Sequence, residues 1–312
     1  MRLNSKYHLF ITAILIFLFF TKSTLSQSKS TSVNTAEVSK IDKLMQYSYE
    51  NGMFNGVILV TNSGEPIYKK AFGYADKINN RKLNDSSIFY LASVSKQFTA
   101  MAIMILKEQG KLSFEDKLTM YFPEFSGFAN DVTIKQLMTH TSGMPDQYRL
   151  GIYKAGLTNE MVKEALLKHG KLNFKPGYKY SYSNGGYVLL SLIVEKVSGI
   201  SFHEFMELNI FNPLGMANTL VYDESAPNIE NRAVGYDHEG ELNDYNIFTT
   251  GAGGMYSNVH DLYLWDQALY TEILVSKTSL EEAFTSTYLN NGTLSNYGYG
   301  WIVSDNNGQK VV

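Results

Sequence analysis

Apolar residues along this chain recur with two different periods, and the switches between them mark out its elements. From residue 32 to about 51, Val38, Ile41, Leu44, Met45 and Tyr49 fall on one side of a helix. Two runs of strand character follow, 56–61 and 66–72, joined by Asn62-Ser63-Gly64-Glu65. So short a link with a glycine in it predicts an antiparallel hairpin. After Ser86 the pattern turns helical. The stretch 94–109 is apolar on nearly every side (Phe98, Ala100, Met101, Ile103, Met104, Ile105, Leu106) and stops at Gly110. A helix without a polar face is a buried one, so this helix belongs at the centre of the molecule. Further helices are predicted over 133–140, 158–169, 186–197, 201–209 and 258–270, and a strand over 299–303. Strands towards both ends with helices between predict an α/β fold in which an antiparallel sheet, flanked by helices, carries a helical insertion.

Composition narrows the function more than the fold. A chain of 312 residues, 44% hydrophobic and 18% charged, has ample material for a core. Its net charge of −3 offers no broad attraction to nucleic acid or acidic membrane, and no basic run is interleaved with aromatics. At the N-terminus Arg2 and Lys6 precede an apolar run over 9–20, and Thr24-Leu25-Ser26 supplies small residues behind it. This predicts an export signal, residues 1–26, cleaved to leave 27–312 as one domain. The run falls short of the roughly 18 residues that span a bilayer; an uncleaved anchor is the other reading. The absence of cysteine excludes a lipid-anchored N-terminus and a disulfide framework. A bacterial periplasm suits such a chain best.

Candidate chemistry gathers at the start of the apolar helix. Ser93 and Lys96, three apart, place a hydroxyl and an amine on one helix face about one turn apart. That pairing builds a nucleophile with its own base and needs no histidine. The spacing alone is weak: it recurs at Ser26 and Lys29, and Ser93 can equally be read as a helix N-cap. Lysine ordinarily titrates near 10.4, so lowering it to about 7 means destabilising the cation by about 4 to 5 kcal/mol, which burial can supply. The six histidines show no H-x-H-x-D or H-E-x-x-H spacing, which argues against a zinc hydrolase, and there is no G-x-S-x-G elbow. No metal or other cofactor is expected.

From about Lys40 to the last residue the chain resembles the serine β-lactamase family in its broad class C sense, which includes penicillin-binding DD-peptidases and related esterases. The resemblance rests on the order and spacing of several motifs. They are Leu91-Ala92-Ser93-Val94-Ser95-Lys96, Leu137-Met138-Thr139-His140-Thr141-Ser142-Gly143, and Phe174-Lys175-Pro176-Gly177 leading to Tyr180-Ser181-Tyr182-Ser183-Asn184. Pro213-Leu214-Gly215-Met216 with Thr219, Gly251-Ala252-Gly253-Gly254-Met255 and Tyr297-Gly298-Tyr299-Gly300-Trp301 complete the set.

The resemblance implies that Ser93 attacks a carbonyl, that Lys96 assists, and that Tyr182 holds the proton-shuttling position. Asn184 would orient Lys96 and the substrate amide, and Gln147 resembles a glutamine that binds that amide. Tyr180 competes with Tyr182, Asn184 also suits a helix cap, and His140 reads as structural. Glu164 has Leu167 at the spacing of a class A general base, but Lys168 stands where asparagine is needed, which favours the class C-like branch. Either Lys96 or a Tyr182 phenolate can be the base. The family's third motif, with its oxyanion donor, the last strands and the C-terminal helix, is expected beyond Val312. The implied activity is cleavage of an amide or ester through a Ser93 acyl-enzyme. The substrate is a small molecule or a peptidoglycan peptide: a β-lactam, a D-Ala peptide or an ester. A catalytically inactive binding or scaffold protein on the same fold is the rival.

Overall fold

The structure, a computed structural model, describes residues 35–226 and 228–312; the expected export signal lies outside the described residues. Helix α1 (Thr35–Glu50) leads into strands β1 (Gly56–Asn62) and β2 (Glu65–Phe72). These pair antiparallel from Gly56↔Phe72 to Asn62↔Glu65, the hairpin the sequence predicts. Its two turn residues, Ser63 and Gly64, both have positive φ (53° and 82°), the backbone that a right-twisted two-residue hairpin requires. Helix α1 rests on β2, yet none of its residues is fully buried, and Leu44, expected on its apolar side, is exposed.

A small hairpin, β3 (Tyr74–Asp76) with β4 (Arg81–Lys82), and strand β5 (Phe89–Tyr90) bring the chain to the central helix, α2 (Ser95–Glu108). Every residue of α2 from Phe98 to Leu106 is buried. Short helices α3 (Leu118–Tyr121) and α4 (Ile134–Met138) and the longer α5 (Asn159–His169) and α6 (Asn184–Ser198) follow. Helix α4 starts with a capping box, in which the Gln136 N–H donates to Thr133 Oγ1 (3.2 Å) and the Thr133 N–H to Gln136 Oε1 (3.0 Å). Helix α6 packs on α2 and is buried from Asn184 to Val194. Residues of both helices stand in the main hydrophobic core.

The single helix expected over 201–209 is a broken one. It runs as α7 (Phe202–Met206), a wide π turn (Glu207–Phe211) and α8 (Asn212–Leu214). Pro213 has no N–H with which to continue α-helical pairing, so the ladder changes register ahead of it. Strands β6 (Leu220–Val221) and β7 (Met255–Ser257) then close a three-stranded antiparallel sheet in the order β5-β7-β6. Helix α9 (Val259–Ala268) covers β1, and α10 (Lys277–Ala283) and the hairpin β8 (Ser304–Asn306) and β9 (Gln309–Val311) follow. The class is the α/β one that the sequence predicts, with antiparallel strand pairs around a helical middle.

The strand expected over 299–303 is absent. Residues 297–302 form a tight turn closed by a bridge between Tyr297 and Ile302, with the Gly298 N–H donating to Trp301 O at 2.9 Å. Gly300 has φ +93°, and a Cβ there would lie 3.0 Å from Gln97 Cα and from Lys96 O. The segment is thus pressed against the first turn of α2, where the backbone cannot run straight. Alternating tyrosine and glycine imitates a strand pattern while serving this close approach.

Candidate active site

Ser93 lies exposed in a one-turn 3-10 helix (Ala92–Val94) between β5 and α2, so it is part of the approach to the central helix and not its cap. The Leu91 N–H is pinned to Met255 O of β7 at 2.8 Å. Leu91 is right-handed (φ −81°, ψ −12°) and Ala92 left-handed (φ +47°). Such alternation turns successive N–H groups into one concavity suited to negative charge. The Ser93 N–H donates to no partner among the described residues, which leaves it available to an oxyanion.

Lys96 is the second residue of α2 and is only 1% exposed. Its Nζ has three partners: Ser93 Oγ at 3.2 Å, Asn184 Oδ1 at 2.8 Å and Ala252 O at 2.7 Å. Two of these are pure acceptors and hold two N–H donors in either charge state. Once Lys96 is neutral, its lone pair therefore has one direction left, towards the Ser93 hydroxyl. Burial pushes its pKa down to about 7, against the opposing field of Asp146. At neutral pH a large fraction of the amine is free to accept a proton.

Tyr182 stands over Ser93 from the opposite side, its hydroxyl donating to Ser93 Oγ at 2.8 Å, with Lys96 Nζ 4.7 Å from the centre of its ring. Burial raises its pKa, the bond to Ser93 working the other way and Asp146 adding to the rise. The phenol therefore keeps its proton. Tyr180 has no such contact: its ring packs edge-on to His140 at 6.0 Å and against Tyr297 at 5.8 Å.

His140 is the back wall. Its ring lies 4.3 Å from Tyr182, 4.8 Å from Tyr297 and 5.1 Å from Tyr187. Its Nδ1 accepts the Ser183 N–H at 3.1 Å, and its carbonyl accepts the Ser181 N–H at 2.9 Å. Burial drives its pKa down to about 3, with Lys96 adding to the fall, so it stays a neutral wedge holding residues 181–183 in place. Ser183 caps α6 through Gly186 N (3.2 Å) and donates to Pro145 O (3.0 Å), so the capping role considered for Asn184 belongs to its neighbour. Asn184 is free to face Lys96. Gln147, in the 3-10 turn Gln147–Leu150, is 2% exposed with Oε1 unpartnered, and no contact joins it to Ser93.

Two contributors were missed by sequence reasoning. The Ala252 carbonyl is delivered by the glycine-rich run 251–254, held also by Thr99 Oγ1 donating to Gly251 O at 2.8 Å. Gly251 (φ +82°) passes so close to α6 that a Cβ would meet Tyr187 O at 2.4 Å. The clustered glycines were the available signal. Asp146 is the other: its carboxylate oxygens lie 3.3 and 3.4 Å from Asn184 Nδ2. Among the described residues, no group of three or more His, Cys, Asp or Glu is placed to hold a metal ion.

This arrangement, a surface hydroxyl between a buried amine and a half-buried phenol, accompanies a family match over nearly the whole described chain: the Beta-lactamase family, residues 39–312. The chain belongs to the Beta-lactamase family. A penicillin-binding protein of Bacillus subtilis is 38% identical over 279 residues, covering 82% of this chain and 61% of that protein. The chain thus spans about three-fifths of that relative's length. The octameric penicillin-binding protein homologue from Pyrococcus abyssi superposes with a TM-score of 0.76 at 31% identity, covering 88% of this chain and 67% of that one. A D-amino acid amidase from Ochrobactrum anthropi, complexed with L-phenylalanine amide, gives 0.73 at 25% identity over 89% and 82%. Within this Beta-lactamase family frame, the motifs around Ser93, Tyr182 and Gly251 are the segments that converge in space.

Proposed function

We propose that this chain is an exported serine hydrolase that forms an acyl-enzyme on Ser93. The observation that carries the reading is Lys96, buried, near neutrality, and aimed at Ser93 by two obligate acceptors. Ser93 Oγ attacks the carbonyl carbon while its proton passes to Lys96 Nζ. The oxyanion takes the Ser93 N–H. As the bond to the leaving group breaks, that group takes the Tyr182 proton, which Lys96 replaces. Water then attacks the ester, one of its protons returns to Ser93 Oγ, and the acid departs. Of the two candidate bases we favour the amine, because burial lowers the pKa of Lys96 and raises that of Tyr182.

The substrate class we propose is a peptide amide ending in a D-amino acid, the bond that penicillins imitate. The names of the relatives support it: a penicillin-binding protein and a D-amino acid amidase. The charged and then apolar N-terminus supports export to the periplasm. Intact-mass analysis after incubation with a fluorescent penicillin tests the reading. A stable adduct on Ser93, absent in Ser93→Ala, is expected. Rapid turnover without accumulation would replace the peptidase reading with a β-lactamase. Hydrolysis of an activated ester with no penicillin adduct would point to an esterase. If neither reaction occurs, the chain is a binding protein on this fold.

A further inference from the structure

The Lys96 amine is held by the Asn184 carboxamide, and a carboxamide presents an acceptor or a donor depending on which way it is turned. We infer that Asp146 is a positioning residue, which locks Asn184 with its oxygen towards Lys96 and sets a fixed negative charge behind that amine. This rests on the hydrolase reading above and adds to it a residue with no contact to Ser93.

Three observations carry it. Both Asp146 oxygens lie within 3.4 Å of Asn184 Nδ2, while Asn184 Oδ1 accepts from Lys96 Nζ at 2.8 Å. A carboxylate only accepts, so turning Asn184 over would set oxygen against carboxylate and N–H against N–H. The carboxylate is itself fixed: Oδ1 accepts the Tyr148 N–H at 3.1 Å, as the cap of the Gln147–Leu150 turn. The neighbouring Pro145 carbonyl is tied to α6 by Ser183 Oγ at 3.0 Å. The carboxamide, the carboxylate and the cap form one chain of contacts from the 146–150 turn to the amine.

The charge of Asp146 also opposes the desolvation of Lys96, favouring its protonated form. Other titratable groups share this surrounding. Tyr182 and Tyr187 face Lys96 with their rings, and His140 feels its charge. Asp146 is faced by Tyr148 and Tyr182, and with Arg149, His169, Lys179 and Tyr180 it lines a cavity of about 350 Å³.

The test is the pH dependence of Ser93 phosphonylation by a fluorophosphonate, followed by intact mass. Asp146→Asn keeps an acceptor for Asn184 and a cap for Tyr148 but removes the charge. It should move the acidic limb down by about one pH unit and lower the plateau severalfold. Asp146→Ser also keeps the cap but cannot reach Asn184, so the same shift should come with a plateau at least about tenfold lower. Asp146→Glu should restore most of the wild-type limb. A purely structural Asp146 would change the melting temperature and the active fraction and leave the limb where it was. An unmoved limb in both the Asn and the Ser variants overturns the proposal. If wild-type protein acquires no adduct at all, the hydrolase reading is what fails. In that case, titration of the Lys96 side chain by lysine-labelled NMR, assigned with Lys96→Met, decides whether Asp146 is coupled to it.

Discussion

Lys96 and Tyr182 both meet the Ser93 hydroxyl, at 3.2 and 2.8 Å, but one lies on the floor of the site and the other on its lip. The amine is 1% exposed, enclosed by α2, α6 and the glycine run 251–254; the phenol is 36% exposed, on a segment wedged by His140. Desolvation acts on both and pushes their pKa values in opposite directions, down for the amine and up for the phenol. In each case it disfavours the charged form. The outcome is a free base and an intact acid on either side of one hydroxyl, with no charged neighbour in direct contact. A pair of titratable groups whose ionised forms are both suppressed suits the proposed division of work, in which the floor accepts and the lip donates.

The comparison can be broken first at the floor. Lys96→Met should lower acylation of Ser93 by about 10³-fold, since no other group among the described residues is aimed to take the proton. Stopped-flow labelling with a penicillin or a fluorophosphonate measures it, and a loss under tenfold would reassign the base to Tyr182. The pH profile sharpens the same point. In the proposed mechanism Lys96 works as the neutral amine, so acylation should rise tenfold per pH unit up to about 7 and level off above it; two units below, about 10²-fold is lost. A limb near 10 would mean that the charged lysine is the working form. At the lip, Tyr182→Phe should cost about 10²-fold, with a larger share on amides than on activated esters, whose leaving groups need no proton. An equal loss on both substrates would deny Tyr182 the role of acid. The smallest effect is expected at Tyr180→Phe, within about threefold, because that hydroxyl has no contact with Ser93; a loss to match Tyr182 would mean that the two tyrosines share the task.

Much of the floor and lip was legible in the sequence because each side chain announces itself at short spacing. Ser93 with Lys96, and Tyr182 with Asn184, are local patterns, and the apolar run behind Ser93 predicted the burial on which Lys96 depends. What the residues alone left open was closed by long-range geometry. Tyr180 remained a competitor of Tyr182, which was preferred for standing two residues before Asn184, and in the structure it is the Tyr182 hydroxyl that meets Ser93, at 2.8 Å. The Ala252 carbonyl and the Asp146 carboxylate were out of reach for a different reason: a backbone oxygen has no sequence signature, and one aspartate after a proline reads as a turn residue. Strands β5, β6 and β7, two or three residues long, are too short to show a period. The expected strand over 299–303 failed because Gly298 answers to the crowding at Ala283, the end of α10, and Gly300 to the crowding at α2, and neither to a sheet.

Ala92 carries a consequence for anyone who reshapes this protein by screening. Its left-handed backbone costs a residue with a Cβ about 1 to 2 kcal/mol, and a glycine would avoid that cost while adding somewhat less in unfolded-state freedom. A library ranked by resistance to heat should therefore drift towards glycine at position 92. A library ranked by turnover should not, since the same stiff turn orients the next N–H, the oxyanion donor of the proposed mechanism. The two selections part company at a residue outside the proposed proton-transfer groups, and sequencing the survivors of each would reveal how far thermal robustness and catalysis compete in this chain.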